Sequence, residues 1–159
     1  MRALSGVATA IAAVAAVSPT LAIAQPVQAA RTCIIRVSPI DFGVYDQRDP
    51  APTPSVGRVL VQCLRSVVLG GPKVTLTAGY SGRLLDRTML SGRGALHYNL
   101  YTDPAHQFVA GDGTQGTSPL AQAFRSVGIT AFRFYGAIGP RQLIPAGEYS
   151  DDVQVEVEF

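Results

Sequence analysis

The sequence has few charged residues and no run of one sign. Asp, Glu, Lys and Arg make up 15% of the chain, and 13 basic residues nearly balance 11 acidic ones. No stretch has the cluster of Lys and Arg that a nucleic-acid-binding surface needs. The low charge, together with 16 Gly and 11 Pro residues, fits a β protein with many turns. The composition therefore favours a β protein and gives no support to a nucleic-acid partner.

No apolar run is predicted to form a membrane-spanning helix. The apolar run Val7–Val17 is shorter than the roughly 18–20 residues of a spanning helix, and Ser18-Pro19-Thr20 interrupts it. Arg2 precedes this run, and the small-x-small site Ala22-Ile23-Ala24 follows it. These features are typical of a secretory signal peptide.

Cleavage after Ala24 divides the chain into three parts. We expect residues 1–24 to be the signal peptide, residues 25–32 to be a short N-terminal extension, and residues 33–159 to form one domain. A second possible cleavage site follows Ala29. The mature protein is expected to be secreted, with no membrane span after cleavage.

The chain contains only two cysteines, Cys33 and Cys63. There is no CxxC motif, and no His lies within a few residues of either cysteine, so nothing supports a metal or redox site. Two cysteines in an exported chain most simply form one disulfide. Cys33 begins the first predicted strand and Cys63 ends the second, which places them opposite each other in an antiparallel pair. We therefore predict a Cys33–Cys63 disulfide.

Catalytic and metal-binding motifs are also missing. There is no GxSxG motif, and no helix follows the Gly-Asp-Gly sequence at 111–113 in a βαβ context. The polar residues that could supply a catalytic triad, a metal site or a carboxylate pair match no known spacing and fit strands, loops and turns. They are Ser126, His97, Asp103, His106, Asp112 and the pair Asp151-Asp152. The sequence therefore predicts no enzyme, no metal and no cofactor.

The mature part does contain a clear alternation of apolar and polar residues with a period of two, which predicts about six strands. The inward residues of these strands are, in order, Cys33, Ile35 and Val37; Val59, Val61 and Cys63; Val74, Leu76 and Ala78; Leu96, Tyr98 and Leu100; Phe132, Phe134 and Ile138; and Val153, Val155, Val157 and Phe159. Residues 116–123 fit either a short helix or a loop. Turns rich in Gly and Pro separate the strands.

The predicted fold is a β-sandwich that lacks a strand. A complete immunoglobulin-type sandwich has seven or more strands. An unpaired last strand, residues 152–159, would leave backbone N–H and C=O groups exposed beside an open apolar groove. The alternation predicts that the edge of this groove is formed by Val153, Val155, Val157 and Phe159, with Gln154, Glu156 and Glu158 outward.

A series of motifs runs in order through almost the whole mature chain and resembles the spore coat protein U domain. They are Cys33 with Ile40-Asp41-Phe42-Gly43-Val44-Tyr45, Gly57-Arg58-Val59-Leu60-Val61-Gln62-Cys63, Arg87-Thr88-Met89-Leu90, Leu96-His97-Tyr98-Asn99-Leu100-Tyr101-Thr102-Asp103, Gly111-Asp112-Gly113-Thr114, Tyr135-Gly136-Ala137-Ile138 and the segment Gly147–Phe159. No single motif is specific to this domain. Their order, combined with one cysteine pair and an export signal, is specific to it.

The resemblance implies an all-β, incomplete immunoglobulin-like sandwich of the pilin type, completed by a donor strand. This family includes the subunits of archaic chaperone-usher pili. The implied partners are a periplasmic pilus chaperone, an outer-membrane usher and other pilus subunits. The implied location is the periplasm in transit and then the cell surface, in a fibre that serves adhesion or biofilm formation.

The N-terminal extension departs from the pattern of a polymerising subunit. A donor strand should alternate apolar residues, yet Val27 and Ala29 are the only apolar residues in phase, and Arg31 falls on the same phase. The extension is therefore predicted to be a poor donor. The alternative to a fibre subunit is a self-contained extracellular coat or adhesin module that does not polymerise.

Overall fold

The computed structural model describes residues 33–63, 72–92, 94–126 and 128–159, which form eight strands and no α-helix. The strands are β1 (Cys33–Ser38), β2 (Thr53–Cys63), β3 (Lys73–Leu76), β4 (Arg87–Ser91), β5 (Gly94–Tyr101), β6 (Gln122–Ser126), β7 (Ile129–Ile138) and β8 (Val155–Glu158). A single turn of 3₁₀-helix, Gly79–Ser81, follows β3. The predicted all-β fold is confirmed.

The strands form two sheets of unequal size. The larger sheet has the order β1-β2-β7-β5-β4, and β6 pairs with the first part of β7. The smaller sheet contains only β3 and β8. Every pairing between these strands is antiparallel. The architecture is an incomplete sandwich, because a two-stranded sheet accompanies a six-stranded one.

The core follows from the alternation in β2 and β7. Val59 lies opposite Phe132, and both are almost completely buried. Residues directly opposite each other in an antiparallel pair share one face of the sheet, so a single phase is buried along both strands. The remaining core comes from the inward residues of β3, β4 and β5, among them Val74, Met89 and Leu96.

The structure differs from the predicted strands in three places. β4 and β6 are strands that the alternation did not predict, and residues 116–123 hold isolated bridges and the start of β6 instead of a helix. The last strand is shorter than predicted and begins at Val155. β4 begins with the buried Arg87, a charged residue that a pattern of apolar residues does not place inward.

A disulfide joins Cys33 to Cys63, which lie opposite each other in the β1–β2 pair. It ties the edge strand β1 to the central part of the larger sheet. The bridge closes a loop with a sequence separation of 30 residues. In the chain-entropy treatment, a loop of this size stabilises the folded state by about 3–4 kcal/mol.

Replacing Cys33 with Ser is expected to lower the free energy of unfolding by about 2–5 kcal/mol, because the unfolded chain regains the conformations that the bridge forbids. Urea denaturation of the mature protein measures this change. Thiol labelling of the denatured, unreduced protein should detect no free thiol. Two labelled thiols per chain would contradict the assignment.

The predicted signal peptide, the predicted extension with Val27 and Ala29, and the two possible cleavage sites lie outside the described residues. Within the described ranges, no helix has the length and apolar character to cross a membrane.

A groove at the open edge of the sandwich

A groove of about 1040 Å³ opens on the core beside the edge strands of both sheets. It reaches β1 at Val37 and β8 at Val155, and two loop segments, residues 39–48 and 144–151, form much of its wall. We call this cavity the edge groove. Its apolar lining includes Ile40, Phe42, Leu76, Met89, Leu96, Leu100, Phe134, Ile144 and Val153.

The inward face of β1 is only partly covered. Ile35 lies opposite Val61, and Val37 lies opposite Val59, so these four side chains share the inward face. Val59 and Val61 are 0% and 1% exposed, whereas Ile35 and Val37 are 44% and 45% exposed. Core side chains therefore cover the inward face of β2 but leave the inward face of β1 partly exposed. An apolar strand placed there would complete the burial of β1.

In the smaller sheet, the inward side chains of β8 are also only partly covered. Val153, Val155 and Val157 are half-buried and pack against the core, while Gln154, Glu156 and Glu158 are exposed. β8 pairs with β3 from Leu76–Val155 to Lys73–Glu158. On its other edge, β8 has no partner among the described strands. Backbone N–H and C=O groups on that edge are thus free to pair with another strand.

The structure places Phe159 differently from the other predicted edge residues. It lies beyond β8 and is 50% exposed. The register would pair Phe159 with Pro72, which has no backbone N–H to continue the ladder. The strand ends at Glu158, and the groove is lined by Val153 and Val155 but not by Val157 or Phe159.

The segment after β1 folds over the larger sheet and forms one wall of the groove. Phe42 contacts the ring of Tyr98 edge to face, with 5.8 Å between ring centroids. The Phe42 ring and the end of the Ile40 side chain lie against Gly136 of β7, where any side chain would collide with them. A glycine at position 136 thus allows this wall to lie close to the sheet.

Hydrogen bonds join the first loop segment of the wall to residues 139–142, which lead into the second segment. The Tyr45 hydroxyl donates to the Gly139 carbonyl at 2.9 Å and accepts the Gln142 backbone N–H at 2.8 Å. The Gln142 side chain in turn bonds the backbone of His97 through two contacts of 2.7 and 2.8 Å. These bonds tie the segment that contains Tyr45 to the end of β7 and to β5.

Arg87, the first residue of β4, is fully buried. Its five N–H donors all have acceptors within 3.2 Å. Nε donates to Thr77 O, Nη1 to Leu84 O and Asn99 Oδ1, and Nη2 to Thr77 O and Ala110 O. Burial lowers the pKa of Arg87, but a guanidinium remains protonated at physiological pH. Arg87 therefore links β4 to four other parts of the chain.

A second polar contact ties the approach to β8 to the larger sheet. The Tyr98 hydroxyl donates to Asp151 Oδ2 at 2.7 Å, and Asp151 Oδ1 accepts the backbone N–H of Tyr80 at 2.7 Å. Burial, and then the hydrogen bond to Asp151, raises the pKa of Tyr98, so the phenol stays protonated and donates. Gly79 has a positive φ of 66° and leaves the space that the Asp151 carboxylate occupies.

The polar residues that could bind a metal or act in catalysis do not form a common site. His97 Nδ1 bonds Asp86 Oδ1 at 2.7 Å, and Asp103 accepts backbone N–H groups of its own loop. Hydrogen bonds from Thr114 lower the pKa of Asp112. Among the described residues, no group of three or more His, Cys, Asp or Glu side chains could hold a metal.

The sandwich resembles a solved pilus protein. A similar chain occurs in the crystal structure of the CsuC–CsuE chaperone–tip adhesion subunit pre-assembly complex from archaic chaperone-usher Csu pili of Acinetobacter baumannii. The TM-score is 0.54 and the sequence identity is 24%. The match covers 81% of this chain and 40% of that one, so this chain spans less than half the length of the Csu protein. The likeness supports a pilin-like fold.

A search of curated proteins finds no match. The Spore Coat Protein U domain family, in contrast, matches residues 18–156, which include all of the sandwich up to β8. This match confirms the resemblance that the motifs indicated, and the chain belongs to the Spore Coat Protein U domain family.

Proposed function

We propose that this protein is a non-catalytic structural subunit of a surface fibre assembled by the chaperone-usher route. In this proposal a periplasmic chaperone lends a strand to the edge groove, and an outer-membrane usher helps to exchange it for the extension of the next subunit. The protein passes through the periplasm and ends at the cell surface, where the fibre serves adhesion or biofilm formation.

The observation that carries the proposal is the pair of half-covered faces on either side of the groove. Ile35 and Val37 face inward from β1, and Val153 and Val155 face inward from β8, yet none of the four is buried. A strand with alternating apolar residues would cover both sets at once. Its backbone would hydrogen-bond the free edge of β8, which is the geometry of β-augmentation.

This subunit should accept a donor strand better than it gives one. Pro26 removes one backbone donor from the extension, and Arg31 falls on the phase that Val27 and Ala29 would have to bury. Burying an unpaired charge is costly. A segment with two small apolar anchors is therefore expected to compete poorly for the groove of another copy, which suits a minor or terminal position in the fibre.

The test follows the assembly of the chaperone-bound mature protein with and without a synthetic donor peptide. With the peptide we expect short, discrete complexes and a higher melting temperature, because the strand buries apolar faces that the isolated subunit exposes. Without it we expect few homopolymers. Non-boiled gels measure chain length, and circular dichroism measures the melting temperature.

A peptide with the same composition in scrambled order is the control, since it lacks the alternation that matches the pleat. If the isolated protein melts at the same temperature with and without donor peptide, and amides along Val155–Glu158 already resist exchange, the groove does not accept a strand. Long ladders from this protein alone would show instead that the extension donates well.

A further inference from the structure

The larger sheet carries basic residues but no acidic ones. None of the strands β1, β2, β4, β5, β6 and β7 contains an Asp or Glu, although the chain has 11 acidic residues. Three exposed arginines lie on this sheet, namely Arg36 on β1, Arg58 on β2 and Arg133 on β7. The sheet therefore has a positive outer face.

The register places these three arginines on the same face. Arg58 lies directly opposite Arg133, and Arg36 lies opposite Leu60, the next outward residue along β2. Their neighbours Val59 and Phe132 point into the core, so the arginines point outward. They form a diagonal line across three adjacent strands, which we call the arginine stripe.

Two like charges directly opposite each other destabilise a β-sheet. Within the described residues, none of the three arginines forms an ion pair with a carboxylate, and Arg36 makes only a 3.4 Å hydrogen bond to Gln62. The Arg58–Arg133 pair is thus an unfavourable arrangement for folding alone. An external anion would relieve the repulsion and would be held by several guanidinium donors.

Aromatic rings continue the line of the stripe. Tyr135 is the next outward residue after Arg133 on β7, and it lies opposite Tyr101 on β5. Both tyrosines are partly exposed, and the Tyr101 ring lies 4.8 Å from the ring of His106. Tyrosine rings offer a sugar ring an apolar surface and a hydroxyl group. The neighbouring guanidinium groups offer hydrogen-bond donors to the carboxylate of that sugar.

We propose that the arginine stripe binds an acidic polysaccharide, with carboxylates on the arginines and sugar rings against Tyr135 and Tyr101. An extended polymer fits this face because the stripe runs diagonally across three strands spaced about 4.8 Å apart. A second copy of the chain is a weaker match. The carboxylates of its β8 are Glu156 and Glu158, and Glu158 already pairs with Lys73 at 3.5 Å.

The test measures binding of the mature protein to alginate, a polymer of uronic acids, with neutral dextran as the comparison. The double variant Arg58→Gln/Arg133→Gln is expected to bind alginate about tenfold more weakly, since two charge-assisted contacts are lost. The control variant Arg83→Gln/Arg141→Gln removes the same charge from two exposed loop arginines and should bind as the wild type does. Affinity should also fall as salt is raised.

The melting temperature gives an independent check, because relief of the Arg58–Arg133 repulsion should leave the double variant at least as stable as the wild type. Equal binding by both double variants, or equal binding of dextran and alginate, would overturn the proposal. So would tighter binding to a single-stranded oligonucleotide than to alginate. A loss of self-association with alginate binding intact would assign the stripe to contacts between copies instead.

Discussion

Val155→Asp is expected to abolish donor-strand binding, while Glu156→Gln leaves it intact. Val155 is half-buried, lines the groove and faces the core from β8, whereas its neighbour Glu156 is exposed on the opposite face. A donor strand would complete the burial of Val155, so Asp would place an unpaired charge in an apolar site. We expect a loss of binding free energy on the order of 3–5 kcal/mol, or at least a hundredfold in affinity.

The measurement is titration of each purified variant with a donor peptide, together with co-purification of the periplasmic chaperone. Circular dichroism of the uncomplexed variants separates a binding defect from a folding defect. If Val155→Asp and Glu156→Gln bind the peptide equally well, the inward phase of β8 does not contact the donor, and the groove has another role.

Arg87→Leu is expected to lower the free energy of unfolding by about 4 kcal/mol or more, because each buried acceptor left without a donor costs roughly 1–3 kcal/mol. The carbonyls of Leu84 and Ala110 and the side chain of Asn99 would lose a donor in a buried site. Against a typical domain stability of about 5–15 kcal/mol, this loss removes a large part of the free energy that holds the fold.

Urea denaturation of the peptide-complexed protein measures the change. Arg83→Leu is a matched control, since Arg83 is exposed in a nearby loop and its replacement should stay within about 0.5 kcal/mol of the wild type. Arg87→Lys keeps the charge but lacks the planar fork, so it should remain strongly destabilised. If Arg87→Leu unfolds at the wild-type urea concentration, the buried hydrogen bonds do not hold the fold.

The alternation alone located the long strands. Val59 and Val61 in β2, and Phe132 and Phe134 in β7, are inward and buried as the period of two requires. β4 was not predicted, because its first inward residue is Arg87 and a charged residue normally indicates an outward position. The groups that accept hydrogen bonds from Arg87 lie in other segments of the chain. Only the tertiary structure brings them close to it.

The groove could be predicted only in part. The sequence predicts an unpaired last strand and the inward phase of Val155 and Val157; in the structure β8 pairs with β3 on one edge and only its other edge is free. The wall formed by Ile40 and Phe42 was not, because this segment has no strand pattern and depends on Gly136, far along the chain. Phe159 follows the alternation but lies beyond the end of β8, where the register would pair it with Pro72, the residue before β3.

The disulfide would carry mechanical load if the subunit is linked to its neighbours through residues 25–32. A pulling force on that segment would enter the domain at Cys33, the first residue of an edge strand that pairs on one side only. Edge strands loaded at one end can open one hydrogen bond after another. Here the covalent bond transfers the load from Cys33 to Cys63, at the end of β2 in the interior of the larger sheet. Tension would therefore be shared with the long β2–β7 pair before β1 could unzip.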